Sequence, residues 1–159
     1  MTLYGENRAD TPLALIVDPE GDVYVTGLFG RVDTAGDCVT LKLDSNGNQL
    51  WAINYDRPGK RSNETPSGLV VDDDGNVYVT GEYRTVLANE PAADCVTLKY
   101  DSEGNECWVV VYDGPDGGFD GAADLSVDQD GNVYIVGTSV ESMLNGADSD
   151  FLRACPSRR

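Results

Sequence analysis

The stretch Val71-Asp72-Asp73-Asp74-Gly75-Asn76-Val77-Tyr78-Val79-Thr80-Gly81 decides how this chain folds. β-Branched and aromatic residues flank Asp-x-x-Gly-Asn, in which glycine takes the positive φ of a type I turn with a G1 bulge. The stretch therefore reads as a tight antiparallel hairpin. It has a counterpart earlier, from Val17 to Gly27, and another later, from Val127 to Gly137. The opening valines are 54 and 56 residues apart, so the chain is a repeat.

A second string lies between these copies. Asp37-Cys38-Val39-Thr40-Leu41-Lys42 runs through a turn at Asp44–Asn48 to Trp51, and Asp94-Cys95-Val96-Thr97-Leu98-Lys99 runs through Asp101–Asn105 to Trp108. A third copy is read as starting at Asp150-Phe151-Leu152. Leu13, Leu15 and Val17 alternate, as do Ser67, Leu69 and Val71, and then Ala123, Leu125 and Val127. Period two predicts a strand with one buried face. Each repeat thus supplies four antiparallel strands, A to D, in about 55 residues, the size of a propeller blade. The expected fold is all-β: about 2.7 four-stranded antiparallel propeller blades. Residues 11–56 form blade 1, 65–113 blade 2, 121–153 an incomplete blade 3, and 154–159 a tail. Residues 1–4 read as the remnant of a strand D.

Composition narrows the function. Acidic residues outnumber basic ones 28 to 11 in 159 residues, a formal net charge of −17. That field repels phosphate backbones and anionic lipid, so neither nucleic acid nor membrane is an expected partner. Arg57, Lys60 and Arg61 form a basic loop patch without interleaved aromatics. No apolar run is long enough to span a bilayer as a helix, and no leader pattern opens the sequence. There is no histidine, which excludes Ser-His-Asp and Cys-His nucleophile systems and the HExxH zinc site. Cys38, Cys95, Cys107 and Cys155 form no CxxC pair, and are expected to be buried or half-buried free thiols.

The strings Val-Asp-x-x-Gly-Asn-Val-Tyr-Val-Thr-Gly and Val-Thr-Leu-Lys-Tyr-Asp-x-x-Gly-Asn-x-x-Trp resemble the SBBP beta-propeller repeat of bacterial proteins. The resemblance implies a propeller within a larger extracellular or cell-surface protein, with no catalytic residues to carry over. It differs in length, since family propellers have more blades than this chain encodes.

The ends suggest how a ring could be completed. With C–D pairs meeting as Asp44 meets Asn48, Tyr55 faces Asp37; by analogy Tyr4 faces Asp150 and Leu3 faces Phe151. Two chains would then close about six blades as a homodimer sharing blades between termini. A fragment of a longer propeller, an open three-blade stack and a larger ring are the alternatives.

The A–B and C–D turns fall on one side of the blades, and the length-variable B–C and D–A connections on the other. Binding is expected on that variable face. Its candidate residues are Asp33, Asp37, Asp94, Asp116, Asp120 and Asp150; Asp37, Asp94 and Asp150 are read as one position repeated. Such carboxylates could hydrogen-bond sugar hydroxyls or hold a cation, or simply cap loops. No metal site is assigned. Gly75 aligned to position 6 of an EF-hand puts Val70 at position 1 and Gly81 at position 12, so the required carboxylates are missing and calcium binding would be weak. Trp51 and Trp108, and Tyr24, Tyr78 and Tyr134, are expected to pack between blades. Lys42 and Lys99 are expected as solvated residues that discourage edge pairing. The function expected is a non-catalytic binding or structural module without a cofactor, its partner a second copy, a carbohydrate or a protein. A metal-dependent propeller enzyme, lactonase-like or lyase-like, and a calcium-stabilised structural repeat are the competing readings.

Overall fold

A computed structural model describes residues 10–30, 36–56, 62–85, 92–114 and 118–140, together with the backbone of residues 151–155. The described residues hold eleven strands and no helix. Blade 1 is a meander of β1 (Thr11–Val17), β2 (Val23–Phe29), β3 (Asp37–Leu43) and β4 (Gln49–Tyr55). Blade 2 repeats it with β5 (Ser62–Val71), β6 (Val77–Thr85), β7 (Ala93–Tyr100) and β8 (Glu106–Tyr112). Blade 3 contributes β9 (Phe119–Val127), β10 (Val133–Val140) and β11 (Phe151–Cys155). Strands A of blades 2 and 3 begin at Ser62 and Phe119, before the residues at which the sequence repeat starts. β11 runs on to Cys155, into what the sequence suggested was tail.

The five hairpin turns share one construction. In each, the glycine has φ between 78° and 89°, and its N–H donates to the carbonyl of an aspartate three residues back. That aspartate's carboxylate fills the turn. Asp72 Oδ1 accepts from the N–H groups of Asp74 (3.1 Å) and Asn76 (2.8 Å), and its Oδ2 from Asn76 Nδ2 (2.8 Å). In the A–B turns a tyrosine hydroxyl joins in: Tyr24 donates to Asp18 (3.2 Å), Tyr78 to Asp72 (3.0 Å) and Tyr134 to Asp128 (2.9 Å). The repeated Asp-x-x-Gly-[Asp/Asn]-x-Tyr is thus a closed hydrogen-bond unit, as expected of aspartates that bond their own backbone.

Two bulges per complete blade alter the register that simple counting gives. Strand A skips one residue opposite strand B, between Pro12 and Ala14 and between Pro66 and Gly68, and the same shift recurs in blade 3. Leu13, Ser67 and Ala123 are the extra residues, exposed in all three blades. The glycine opposite is obligatory: a Cβ at Gly81 would collide with the Thr65 carbonyl oxygen and lie 2.7 Å from Pro66 Cα. A second bulge in strand D leaves Leu50 and Cys107 unpaired. Its consequence is that Tyr55 pairs with Cys38 rather than with Asp37. A bulge adds one residue to one strand and displaces every pair beyond it. The proposed facing of Tyr4 with Asp150 and of Leu3 with Phe151 lies outside the described residues. On β11, Phe151 stands opposite Gly137, where Val39 stands opposite Gly27 and Val96 opposite Gly81. The counting that made Asp150 the counterpart of Asp37 is therefore displaced by one residue.

The core lies between blades. Each blade has a front face carrying the strand B tyrosine and its neighbour two residues on, and a back face carrying the strand A leucine and the strand B valines. The first cluster joins Tyr24, Cys38 and Tyr55 of blade 1 to Leu69, Val77, Val79 and Leu98 of blade 2. The second joins Tyr78 and Cys95 of blade 2 to Ala122, Leu125, Val133 and Ile135 of blade 3. Front packs on back at both seams. Each fully buried leucine or valine contributes roughly 1.5–3 kcal/mol. Blade 1 therefore departs from the expected pattern. Leu15 is 64% exposed and Val17 55%, whereas Leu69 and Leu125, in the slot of Leu15, are buried, because no described blade covers the back of blade 1.

Candidate functional site

Across each complete sheet the register brings a tyrosine, a lysine and a tryptophan side by side. Tyr24 pairs with Lys42 and Lys42 with Trp51; Tyr78, Lys99 and Trp108 repeat the row. The rings meet edge-on with centroids 6.2 Å apart in both blades. Each ammonium lies over its tyrosine ring, at 4.9 Å for Lys42 and 5.1 Å for Lys99. Lys42 also pairs with Asp22 at 3.0 Å. These lysines are therefore interior members of the sheet, not guards of an edge: strand C lies between B and D, and the cation is held by the ring quadrupole. Burial pulls the Lys42 ammonium down, but its contacts with Tyr24 and Asp22 together hold its pKa above the usual value. Burial raises the Tyr24 phenol in turn. Trp51 spans the seam, its indole N–H donating to the Ser102 carbonyl in the C–D turn of blade 2 (3.2 Å). The aromatic slots of blades 1 and 2 thus hold the blades together, whereas Tyr134, expected to pack in the same way, is 41% exposed on blade 3.

On the opposite side, where the connections vary, the seams gather carboxylates. Asp37 opens β3, is buried, and accepts from Asn54 Nδ2 (3.0 Å). The start of β5 is stapled beside it: the Glu64 N–H donates to the Gly36 carbonyl (2.9 Å), and the Gly36 N–H to Asn63 Oδ1 (2.7 Å). Glu64 is buried and accepts from the Ser62 hydroxyl. One oxygen from each of Asp37, Asp56 and Glu64 falls within 4.8 Å of the others. Among the described residues these are the ones whose oxygens converge closely enough to hold a cation, and three carboxylates are fewer than the six to eight oxygens calcium takes. The second seam repeats the sequence positions as Asp94, Asp113 and Asp120 but closes differently. Asp120 is buried and its Oδ2 accepts from the Gly114 N–H (2.6 Å), while Ala93 pairs with Phe119 in parallel.

Of the candidates read from sequence, Asp37 and Asp120 are thus buried at seams and Asp94 is half-buried. Asp33, Asp116 and Asp150 lie outside the described residues. An open hollow of about 420 Å³ lies on the same face, where β5 begins and β6 ends. Asn63, Thr65, Ser67, Glu82, Arg84 and Ala122 line it. Arg84 Nε donates to Glu82 Oε1 (2.7 Å), and the guanidinium carbon lies 5.9 Å from the Phe119 ring centre. The Ser67 hydroxyl donates to the Ala122 carbonyl of blade 3 (2.6 Å). Amide, hydroxyl, carboxylate and guanidinium together can donate to and accept from a polar ligand. Sequence reasoning missed this set because it followed aspartates. Its signal was present where Glu82-Tyr83-Arg84 replaces Leu28-Phe29-Gly30 of the first repeat.

A larger hollow, about 590 Å³, opens on the turn side between blades 2 and 3. Its carboxylates are either consumed in turns, as Asp72 and Asp128 are, or solvated, as Asp73, Asp74 and Asp130 are. Turn hydrogen bonds, chiefly from Asn132, keep the Asp128 carboxyl below the usual range. Asp72 and Asp128 are thus committed to the backbone.

Comparison with known proteins agrees with the blades. The chain is 23% identical, across 86% of its length, to an uncharacterized WD repeat-containing protein of Acanthamoeba polyphaga mimivirus, and spans 12% of that protein. The hairpin of β5 and β6 carries the family signature: residues 59–82 match the SBBP beta-propeller repeat.

Proposed function

We propose that this chain is a non-catalytic propeller module of a bacterial surface or secreted protein, and that its variable face binds a hydroxyl-rich ligand, a carbohydrate, in the hollow between Asn63 and Arg84. The observation that carries this reading is the convergence there of hydrogen-bonding groups on rigid strands, with the exposed Arg84–Glu82 pair at the rim. A planar guanidinium and carboxylate offer paired donors and acceptors to vicinal hydroxyls. The repeated residues elsewhere are engaged in turns, sheet rows and seams, which supports a scaffold role over chemistry. The absence of histidine supports the same. Glycan-array binding followed by calorimetry tests it. Arg84→Ala and Asn63→Ala should each weaken a hit about tenfold or more. A blank array, or binding unchanged in both variants, would overturn the assignment of the hollow.

The module is further proposed to need no resident cofactor. Its melting temperature should be the same in EDTA and in millimolar calcium; a calcium-dependent rise, abolished by Glu64→Gln, would instead place an ion among Asp37, Asp56 and Glu64.

A further inference from the structure

Among the described residues two faces are left uncovered, and they are the two halves of a seam the chain already forms twice. The back of blade 1 presents Leu15 and Val17, at 64% and 55% exposure. Pro12 beside them is exposed, and Val23, Val25, Leu41 and Leu43 are half-buried. In blade 2 the same slots hold Pro66, Leu69, Val77, Val79, Leu98 and Tyr100, all buried, and Val71 in the slot of Val17, half-buried against the blade 1 cluster. The front of blade 3 presents Tyr134 at 41% and Val136 at 48% exposure. Their counterparts Tyr24 and Thr26, and Tyr78 and Thr80, are at most 1% exposed.

We infer that two copies of this 159-residue chain associate head to tail, the back of blade 1 in one docking on the front of blade 3 in the other, through two equal seams. Continuity with the seams inside the chain selects this occupant. Front meets back at both of them, through the same slots that are left uncovered at the two ends. Blade 3 is also adapted to an apolar neighbour. Thr26 and Thr40, and Thr80 and Thr97, form hydroxyl pairs at 3.2 and 3.0 Å inside their blades. Blade 3 has Val136 in the first of these slots, in register with Leu152. An uncovered apolar face is costly in water, and a closing head-to-tail contact satisfies both faces at once. Each copy carries −17, so the contact forms against mutual repulsion and should tighten as salt screens it.

Sedimentation of the 159-residue chain across concentration and salt tests this. The expected species weighs about 34 kDa, twice 17.1 kDa, and is favoured by added salt. Leu15→Glu and Val136→Glu alter exposed residues, and their circular dichroism should overlay that of the parent. Each alone should weaken self-association about tenfold or more, because each spoils both seams. An equimolar mixture of the two should recover dimer, since one seam of the mixed pair is intact. A chain that stays at 17 kDa at high concentration and salt would overturn the inference. So would dimerisation that survives Val136→Glu, which would mean pairing of like faces, or open polymers in place of a closed pair. Leu15→Ser provides the softer variant should the charged one misfold.

Discussion

Trp51 of blade 1 lies against Gly104 of blade 2, so close that a Cβ added to the glycine would sit 3.0 Å from the indole. The same tryptophan donates its N–H to the Ser102 carbonyl at 3.2 Å. A strand D side chain therefore reads the backbone of the next blade's turn. Trp51→Phe keeps the edge contact with Tyr24 but loses the hydrogen bond, and should cost about 0.5–1.5 kcal/mol in urea unfolding. Trp51→Ala loses the aromatic surface as well and should cost about 2 kcal/mol or more.

Gly81 and Gly47 should respond differently to alanine. At Gly81 the added carbon meets Thr65 and Pro66 backbone atoms across the bulge, which cannot move without breaking the β5–β6 ladder. Overpacking of this kind costs about 1–3 kcal/mol and sometimes more. Gly47 has φ of 83° with nothing within 4 Å, so its alanine variant meets only backbone strain, about 1 kcal/mol. Equal effects would contradict the bulge.

The turn aspartates set the acid limit. Asp44 and Asp101 are held below the ordinary carboxylate value by the side chain and N–H of Asn48 and Asn105, and Asp128 likewise by Asn132. A depressed carboxyl pKa contributes stability that is present above the unfolded value and lost as pH falls through the folded one. Unfolding free energy should thus decline below about pH 4. Asp72→Ala, which removes the acceptor of Asp74, Asn76 and Tyr78 at once, should cost about 1–3 kcal/mol at pH 7.

The thiols should separate by reactivity. Burial pushes the Cys38 thiol up to about 11, so its folded form is neutral and its contribution fades as pH rises past 9 toward 11. Cys107, in contrast to the burial expected of it, is the exposed bulge residue. In a Cys155→Ser background at pH 8, a thiol reagent should modify Cys107 rapidly, and Cys38 and Cys95 only on unfolding. Fast modification of all three would contradict the buried cores.

The blades could be read from the repeats because a hairpin is local: Asp72, Gly75 and Tyr78 lie within seven residues and meet in one turn. What escaped was non-local. The bulge at Leu13 had its signal in the recurring glycine opposite, Gly27, but the one at Leu50 faces no such residue, so the pairing of Tyr55 was misjudged by one residue. Leu15 and Leu69 are identical in sequence slot and opposite in burial, because burial here depends on a neighbouring blade. Asn63 and Arg84 were missed because they pair at the far ends of β5 and β6, beyond the repeated hairpin, and Glu64 because only the seam brings it to Gly36.

That dependence on a neighbour gives the most direct test of the whole account. Urea unfolding of Leu69→Ala and Leu15→Ala should be compared at concentrations dilute enough for the chain to be a monomer. Leu69→Ala should lose about 2–4 kcal/mol, and Leu15→Ala within about 0.5 kcal/mol of nothing. Equal losses, or no loss at Leu69, would mean that the front of blade 1 does not pack on the back of blade 2.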